Sequence, residues 1–293
     1  MASPMTVTPH HPQGSTDRIS SAATYVFAVC RADHPGNFAS ASRGHAAGGP
    51  LRLLTVGGVC AVVQDVPAAE FSEAALRDRL ADAAELERCA RTHHEVVTAA
   101  ASVGPTVPLP LATLYLDDER AGTALRENQD RFGAVLERIT GRAEWAVKVY
   151  MTHPETLARS AVPAPPEKPP PNTQPGPQQR SGRAYMNRLR GRQQLRESQR
   201  EAALAAGERV GSALRELAVG TVQRRPHGPE VTGKDRTQVM NAACLIADDR
   251  IEELTTTIRR LRASPEFKGI EIDVCGPWAP YSFTDGGDLA QHR

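Results

Sequence analysis

The feature that most restricts how this chain can fold lies near its C-terminus. There the strand-like run Gly269-Ile270-Glu271-Ile272-Asp273-Val274-Cys275 leads into Gly276-Pro277-Trp278-Ala279-Pro280-Tyr281-Ser282-Phe283. Two prolines fix φ and remove two backbone donors, so the chain is expected to leave its sheet here and carry Trp278, Tyr281 and Phe283 in a rigid, non-repeating turn. In a chain that is only 4% aromatic, three rings within one short segment concentrate apolar area in one place. That segment offers no set of groups for acid–base chemistry. It is expected to seal the end of a core or an interface between domains rather than to line a ligand site.

With 293 residues the chain is long enough for two domains with flanking segments left over. A net charge of +1 argues against polyanion binding by the whole molecule. Cys30, Cys60, Cys89, Cys244 and Cys275 are odd in number, widely spaced and without a CxxC pair, which suits reduced core residues in a cytosolic protein. The N-terminus has no basic region followed by an apolar run, and no stretch approaches the ~20 apolar residues needed to cross a bilayer. The expectation is a soluble, cytoplasmic protein with no membrane partner.

Residues 1–22, rich in Pro, Ser, Thr and His, read as a disordered leader. An N-terminal α+β domain is expected over residues 23–142. It opens with the strand Thr24-Tyr25-Val26-Phe27-Ala28-Val29-Cys30 and a loop containing Gly44, Gly48 and Gly49. Pro50 follows where a Walker loop needs Lys and Ser/Thr, so that loop is no nucleotide site. A hairpin turns at Gly57-Gly58. Ser72 then caps one helix reaching to about Ser102, stopped by Gly104-Pro105. Cys89 and His93 share a face of that helix, but two ligands on one helix without a second Cys/His pair do not make a metal site. His94, between Ala90 and Val97, reads as the core histidine. Thr106 to Tyr115 is extended, and its alternate prolines confine it to an edge or an irregular strand. Asp117-Asp118-Glu119 open one helix to about Thr140, their charges favoured by the helix dipole rather than by a cation.

The second domain, residues 143–284, begins with Glu144-Trp145-Ala146-Val147-Lys148-Val149-Tyr150, alternating with Trp145, Val147 and Val149 on one face. A proline-rich insertion, residues 161–180, is expected to be an extended spacer. A long helix follows, arginine-rich over residues 180–200 and apolar at Val210, Leu214 and Leu217. After it come a strand or loop, a strand from Gln238 to Ala247, a helix capped by Asp248, and the closing strand. This order is the split βαβ, ferredoxin-like pattern, so the fold class is α+β with two domains. Residues 285–293 form a tail expected to be disordered.

Taken together, several segments carry a resemblance. They are Tyr25-Val26-Phe27-Ala28-Val29, Val62-Val63-Gln64-Asp65-Val66-Pro67, His93-His94-Glu95-Val96-Val97, Gly104-Pro105-Thr106-Val107-Pro108-Leu109, Glu144 to Tyr150, Met240 to Ile246, and Gly276 to Phe283. In this order and spacing the chain resembles the gas vesicle protein L/F (GvpL/GvpF) family from about Thr24 to Phe283. It departs from the family at Pro110-Leu111-Ala112-Thr113, where members typically have Arg-Phe-Gly-Thr. The resemblance implies a non-catalytic accessory protein of gas vesicle formation, without cofactor or metal, at the gas vesicle or in the cytoplasm. Its partners would be the small shell subunit and other gas vesicle accessory proteins, and its structural signature Trp145, Trp278, Pro280, Tyr281 and Phe283. The alternative is a nucleic-acid-binding ferredoxin-like protein using the arginine-rich segment 180–200, but its strands lack the interleaved Phe or Tyr that stack RNA bases. An enzyme using Cys89 and His93 would need a convergent catalytic set, which the sequence lacks.

Overall fold

In the strand β1 (Ala22–Arg31) every residue from Thr24 to Cys30 is buried, so both faces and both edges must be covered. The computed structural model describes residues 22–37, 42–152, 181–233 and 235–284. The expected leader, apart from Ala22, which opens β1, lies outside the described residues, as do the proline-rich insertion 161–180 and the tail 285–293.

One edge of β1 pairs with β3 (Val59–Pro67), which pairs with β2 (Arg52–Val56) through a hairpin turning at Gly57-Gly58, where Gly57 adopts φ +58°. The other edge pairs with two short strands, β4 (Thr106–Pro108) and β5 (Leu114–Tyr115). The segment expected to be one extended strand is therefore split: Ala112, at φ +63°, turns the chain between two prolines and β5. All pairings in this sheet are antiparallel.

Two single helices expected from the periodicity are each broken in two. Asp82 separates α1 (Glu73–Ala81) from α2 (Ala83–Ala101): its backbone is extended at ψ 123°, and its carboxylate accepts the Glu85 N–H, so it ends one helix and caps the next. Asn128 likewise separates α3 (Asp118–Glu127) from α4 (Gln129–Ile139). Ser72 caps α1 and Asp117 caps α3 by side-chain hydrogen bonds to Ala75 and Arg120.

The second sheet has the order β7-β8-β6-β9, antiparallel throughout, from β6 (Arg142–Thr152), β7 (Gly220–Gln223), β8 (Arg236–Ala247) and β9 (Ile270–Trp278). Where strand and loop were both open, the chain forms the short strand β7. Two helices pack on this sheet: α5 (Ser181–Leu217) and α6 (Ile251–Ala263). Asp248 does not cap α6. It lies in a 3-10 turn with no side-chain cap bond, and its N–H donates to Gly141 O (3.0 Å). Arg250 instead donates to Leu217 O (2.8 Å) and Glu216 O (3.1 Å), tying the start of α6 to the last carbonyls of α5.

The closing strand runs further than expected. β9 continues through Gly276-Pro277 to Trp278, which pairs with Glu144. A bulge between Glu144 and Ala146 takes up Gly276 and Pro277, so the donor that Pro277 lacks falls where the ladder is already interrupted.

Three apolar clusters follow. The first joins β1 and β3 to α2 through Tyr25, Phe27, Phe71, Val96 and Val97, and includes Ala279. The third joins the second sheet to α5 and α6 through Val147, Val210, Leu214, Ile246 and Leu254. The second lies between the halves: Val26, Val63, Leu136 and Ile139 pack with Ala243, Leu245 and Phe283.

Candidate functional site

The segment after β9 packs across the seam between the two sheets. Ala279 enters the first cluster and Phe283, fully buried, enters the shared one. Pro280 is buried between them. The carboxylate of Glu144, on β6, is 3% exposed and meets this segment from below. It accepts the Ser282 N–H (2.7 Å), the Ser282 hydroxyl (3.1 Å) and the Arg224 guanidinium (2.7 Å). Arg224 also reaches the Ser282 hydroxyl, and Arg138 donates to Phe283 O. A buried carboxylate needs such partners, and here they fasten the closing segment to both halves.

Above this latch Trp278 is 42% exposed. Its ring lies 5.6 Å from that of His94, whose Nδ1 is 3.3 Å from the Tyr281 hydroxyl. Burial of that hydroxyl, and then the Glu144 charge, push the Tyr281 phenol up to about 12, so it stays a neutral hydrogen-bonding group. Beside Trp278 opens a cleft of about 510 Å³ between the end of α2 and the start of β6. Its walls include Ala101, Pro105, Ile139, Pro277 and Trp278, with Thr98, Ser102, Arg142 and Asp248 as polar groups. An apolar cleft with few polar groups suits an apolar side chain or peptide segment. Of these polar groups, Thr98 has its Oγ1 3.4 Å from His94 Nε2.

Of the expected signature residues, Trp278, Pro280, Tyr281 and Phe283 come together here. Trp145 does not: strand alternation turns it to the opposite side from Glu144, where it packs against the third cluster. Its ring abuts Gly276, where a Cβ would lie 2.9 Å from Cδ2 and Cε3. Glu144, Arg224 and Arg138 were missed. The signal in the sequence was an acid, Glu144, directly ahead of the apolar run Trp145-Ala146-Val147.

The histidine pair resolves in the opposite sense to that expected. His93 is the core residue, with Nδ1 3.1 Å from the Tyr25 hydroxyl and Nε2 3.1 Å from Leu109 O, while His94 is partly exposed at the seam. Burial holds His93 down at about 4. Cys89 lies 3.7 Å from an Arg79 nitrogen, and among the described residues no group of three His, Cys, Asp or Glu is placed to hold a metal. The glycine-rich loop encloses a side chain of its own chain. Gln64 accepts the His45 N–H (2.8 Å) and donates to Gly49 O (2.7 Å) and His45 O (3.1 Å), and a Cβ on Gly48 would lie 2.5 Å from its Cδ.

The architecture is that of a mixed α+β protein with two antiparallel sheets joined by a closing segment, and comparison with known proteins places it in a family. The family model for gas vesicle synthesis protein GvpL/GvpF matches residues 23–285, and the chain belongs to that family. It is 34% identical over 270 residues to gas vesicle protein L of a Streptomyces species, covering 92% of this chain and 94% of that protein. To gas vesicle protein F of the same strain it is 25% identical over 281 residues, covering 90% and 100%. The crystal structure of GvpF from an Anabaena species shares the fold with a TM-score of 0.61 at 14% identity, covering 93% of this chain and all of that one. GvpF from Microcystis aeruginosa gives a TM-score of 0.55 at 15% identity, covering 90% and 99%. Family membership assigns the chain a role in gas vesicle formation. Among the described residues no helix is long and apolar enough to cross a membrane.

Proposed function

We propose that this protein is a non-catalytic accessory factor that binds the small gas vesicle shell subunit, and other gas vesicle accessory proteins, during nucleation or assembly. It would act in the cytoplasm and at the growing vesicle. The observation that carries this reading is the apolar cleft beside the exposed Trp278, in a chain whose family match spans nearly its whole length. A shell subunit with a face turned toward gas exposes apolar surface before it assembles, and a partner that covers such surface suppresses aggregation. We also infer a division into an N-terminal α+β unit and a C-terminal ferredoxin-like unit. The order β7-β8-β6-β9, with α5 and α6 in the two crossovers, supports the second.

The test is co-expression with a gas vesicle shell subunit and pull-down at low and high salt. Apolar capture predicts retention at high salt, and Trp278→Ala is expected to weaken retention about tenfold with little change in stability, since that ring is already partly in water. Loss of all retention at high salt in the unsubstituted protein, or an unchanged Trp278→Ala variant, would remove the cleft as the binding surface.

A further inference from the structure

Cys30 and Cys60 face each other across the first sheet. They are direct partners in the antiparallel pairing of β1 with β3, so their side chains leave the same face of the sheet. Directly opposed residues of such a pair have Cα atoms ~4.5 to 5.5 Å apart, inside the ~4.4 to 6.8 Å that a disulfide spans. Both thiols are free and buried, and they hydrogen-bond to each other. Cys30 Sγ also lies 3.4 Å from Thr106 Oγ1, and Cys60 Sγ donates to Arg31 O (3.0 Å). The other cysteines are placed elsewhere: Cys244 stands opposite Trp145, Cys275 opposite Ala146, and Cys89 beside Arg79. The pair lies at the end of the sheet where the chain turns. Ala32 and Asp33, directly after β1, and the Gly57-Gly58 turn shortly before Cys60 are exposed. A local opening at that end brings Cys60 to solvent without unfolding the sheet.

We propose that Cys30 and Cys60 are a modification site at which hydrogen peroxide joins β1 to β3 through a disulfide. Cys60 is the thiol attacked first. Its hydrogen bond with Cys30 holds it below the ordinary thiol range, while the same contact, and then burial, push Cys30 up. The Cys60 sulfur takes one oxygen from the peroxide: an S–O bond forms, the O–O bond breaks, and water leaves behind a sulfenic acid. The Cys30 sulfur then attacks the Cys60 sulfur, so that the S–S bond forms, the S–O bond breaks and a second water leaves. The two thiols give up two electrons and two hydrogens, and the peroxide is reduced to water. The bridge closes residues 30–60 into a loop, which removes conformations from the unfolded chain and stabilises the first sheet. Thiols that only filled the core would stay reduced under the same treatment. The site is separate from the cleft beside Trp278, and its failure leaves the cleft reading standing.

The experiment treats the folded full chain with hydrogen peroxide, alkylates the remaining thiols in denaturant and maps the peptides by mass spectrometry. One cross-linked species carrying Cys30 and Cys60 is expected, lighter by two hydrogens than the two thiol peptides together and released by dithiothreitol. The urea midpoint should rise on oxidation and return on reduction. Cys60→Ser keeps a hydroxyl that can donate to Arg31 O, so it should fold and show neither the cross-link nor the rise. Peptide mapping of the unsubstituted chain decides the question even if that variant misfolds. The proposal is overturned if Cys30 and Cys60 both alkylate fully after treatment, or if they join only when peroxide is added in urea. It is also overturned if the folded chain joins either of them to a different cysteine, or if the cross-link forms without a rise in the urea midpoint.

Discussion

At the scale of single residues, Glu144 shows why a buried charge is informative. Its carboxylate holds the Ser282 backbone and the Arg224 guanidinium, so truncation strands Arg224 and opens an acceptor gap beneath the closing segment. Arg224 is 40% exposed on its side chain and can turn to water, which limits the loss. Glu144→Ala is expected to cost about 2 kcal/mol, and Glu144→Gln less, in denaturant unfolding. His45 and His93 give a second residue-level prediction. Burial above all, followed for His45 by the His93 charge, holds both at about 4 against an ordinary 6.5. Their folded forms resist protonation, so their contribution to stability is complete above pH 6.5 and is lost as pH falls from 6.5 toward 4. The loss is on the order of 3 kcal/mol for each. His45 Nε2 has no hydrogen-bond partner among the described residues and its ring packs on Phe27 and Tyr25. His45→Phe should therefore keep stability at pH 7 and shrink the acid-induced fall in urea midpoint. Sequence reasoning chose His94 over His93 because neighbouring positions on a helix differ by only 100°, and the tilt of α2 on its sheet is set by contacts distant in sequence.

At the scale of elements, the sequence periodicity located helices but overran their breaks. Asp82-Ala83-Ala84-Glu85 carries a capping signature, yet the apolar pattern on either side runs through it, and only packing decides whether a cap or a continued turn wins. Asp82→Ala should lower stability by about 1 kcal/mol, measured by thermal unfolding followed at 222 nm. The bulge in β9 is stricter. Gly276 stands at φ +153°, and a Cβ there would meet the Trp145 ring at 2.9 Å and Glu144 O at 3.0 Å. Gly276→Ala is expected to cost at least about 2 kcal/mol and to shift tryptophan emission, because neither the backbone nor the packed ring can yield freely. An unshifted spectrum with full stability would mean the bulge does not hold this ring. Its position, unlike that of the prolines themselves, was not visible until Glu144 and Trp278 were paired.

At the scale of the whole molecule, the cluster shared by Val26, Leu136, Leu245 and Phe283 couples the two halves. Phe283 comes from the end of the chain yet is fully buried there. Phe283→Ala should cost about 3 to 5 kcal/mol. If the shared cluster is what couples the halves, urea unfolding of the original protein is one transition by both tryptophan emission and circular dichroism, and the variant's transition broadens or splits. A variant with unchanged stability would show that the latch contributes nothing to the coupling.

The sequence by itself determined the identity and order of most strands, the Gly57-Gly58 hairpin, the long helix α5, the family resemblance and the sealing role of the aromatic closing segment. These rest on local periodicity, on turn residues and on prolines, which act over a few residues. Tertiary structure alone decided which histidine is buried, which face Trp145 takes, where the paired helices break, and that Glu144 receives Ser282 from 138 positions away. Those outcomes depend on contacts between segments far apart in sequence, and a pattern read along the chain carries no information about which distant group will supply a buried charge or ring with its partner.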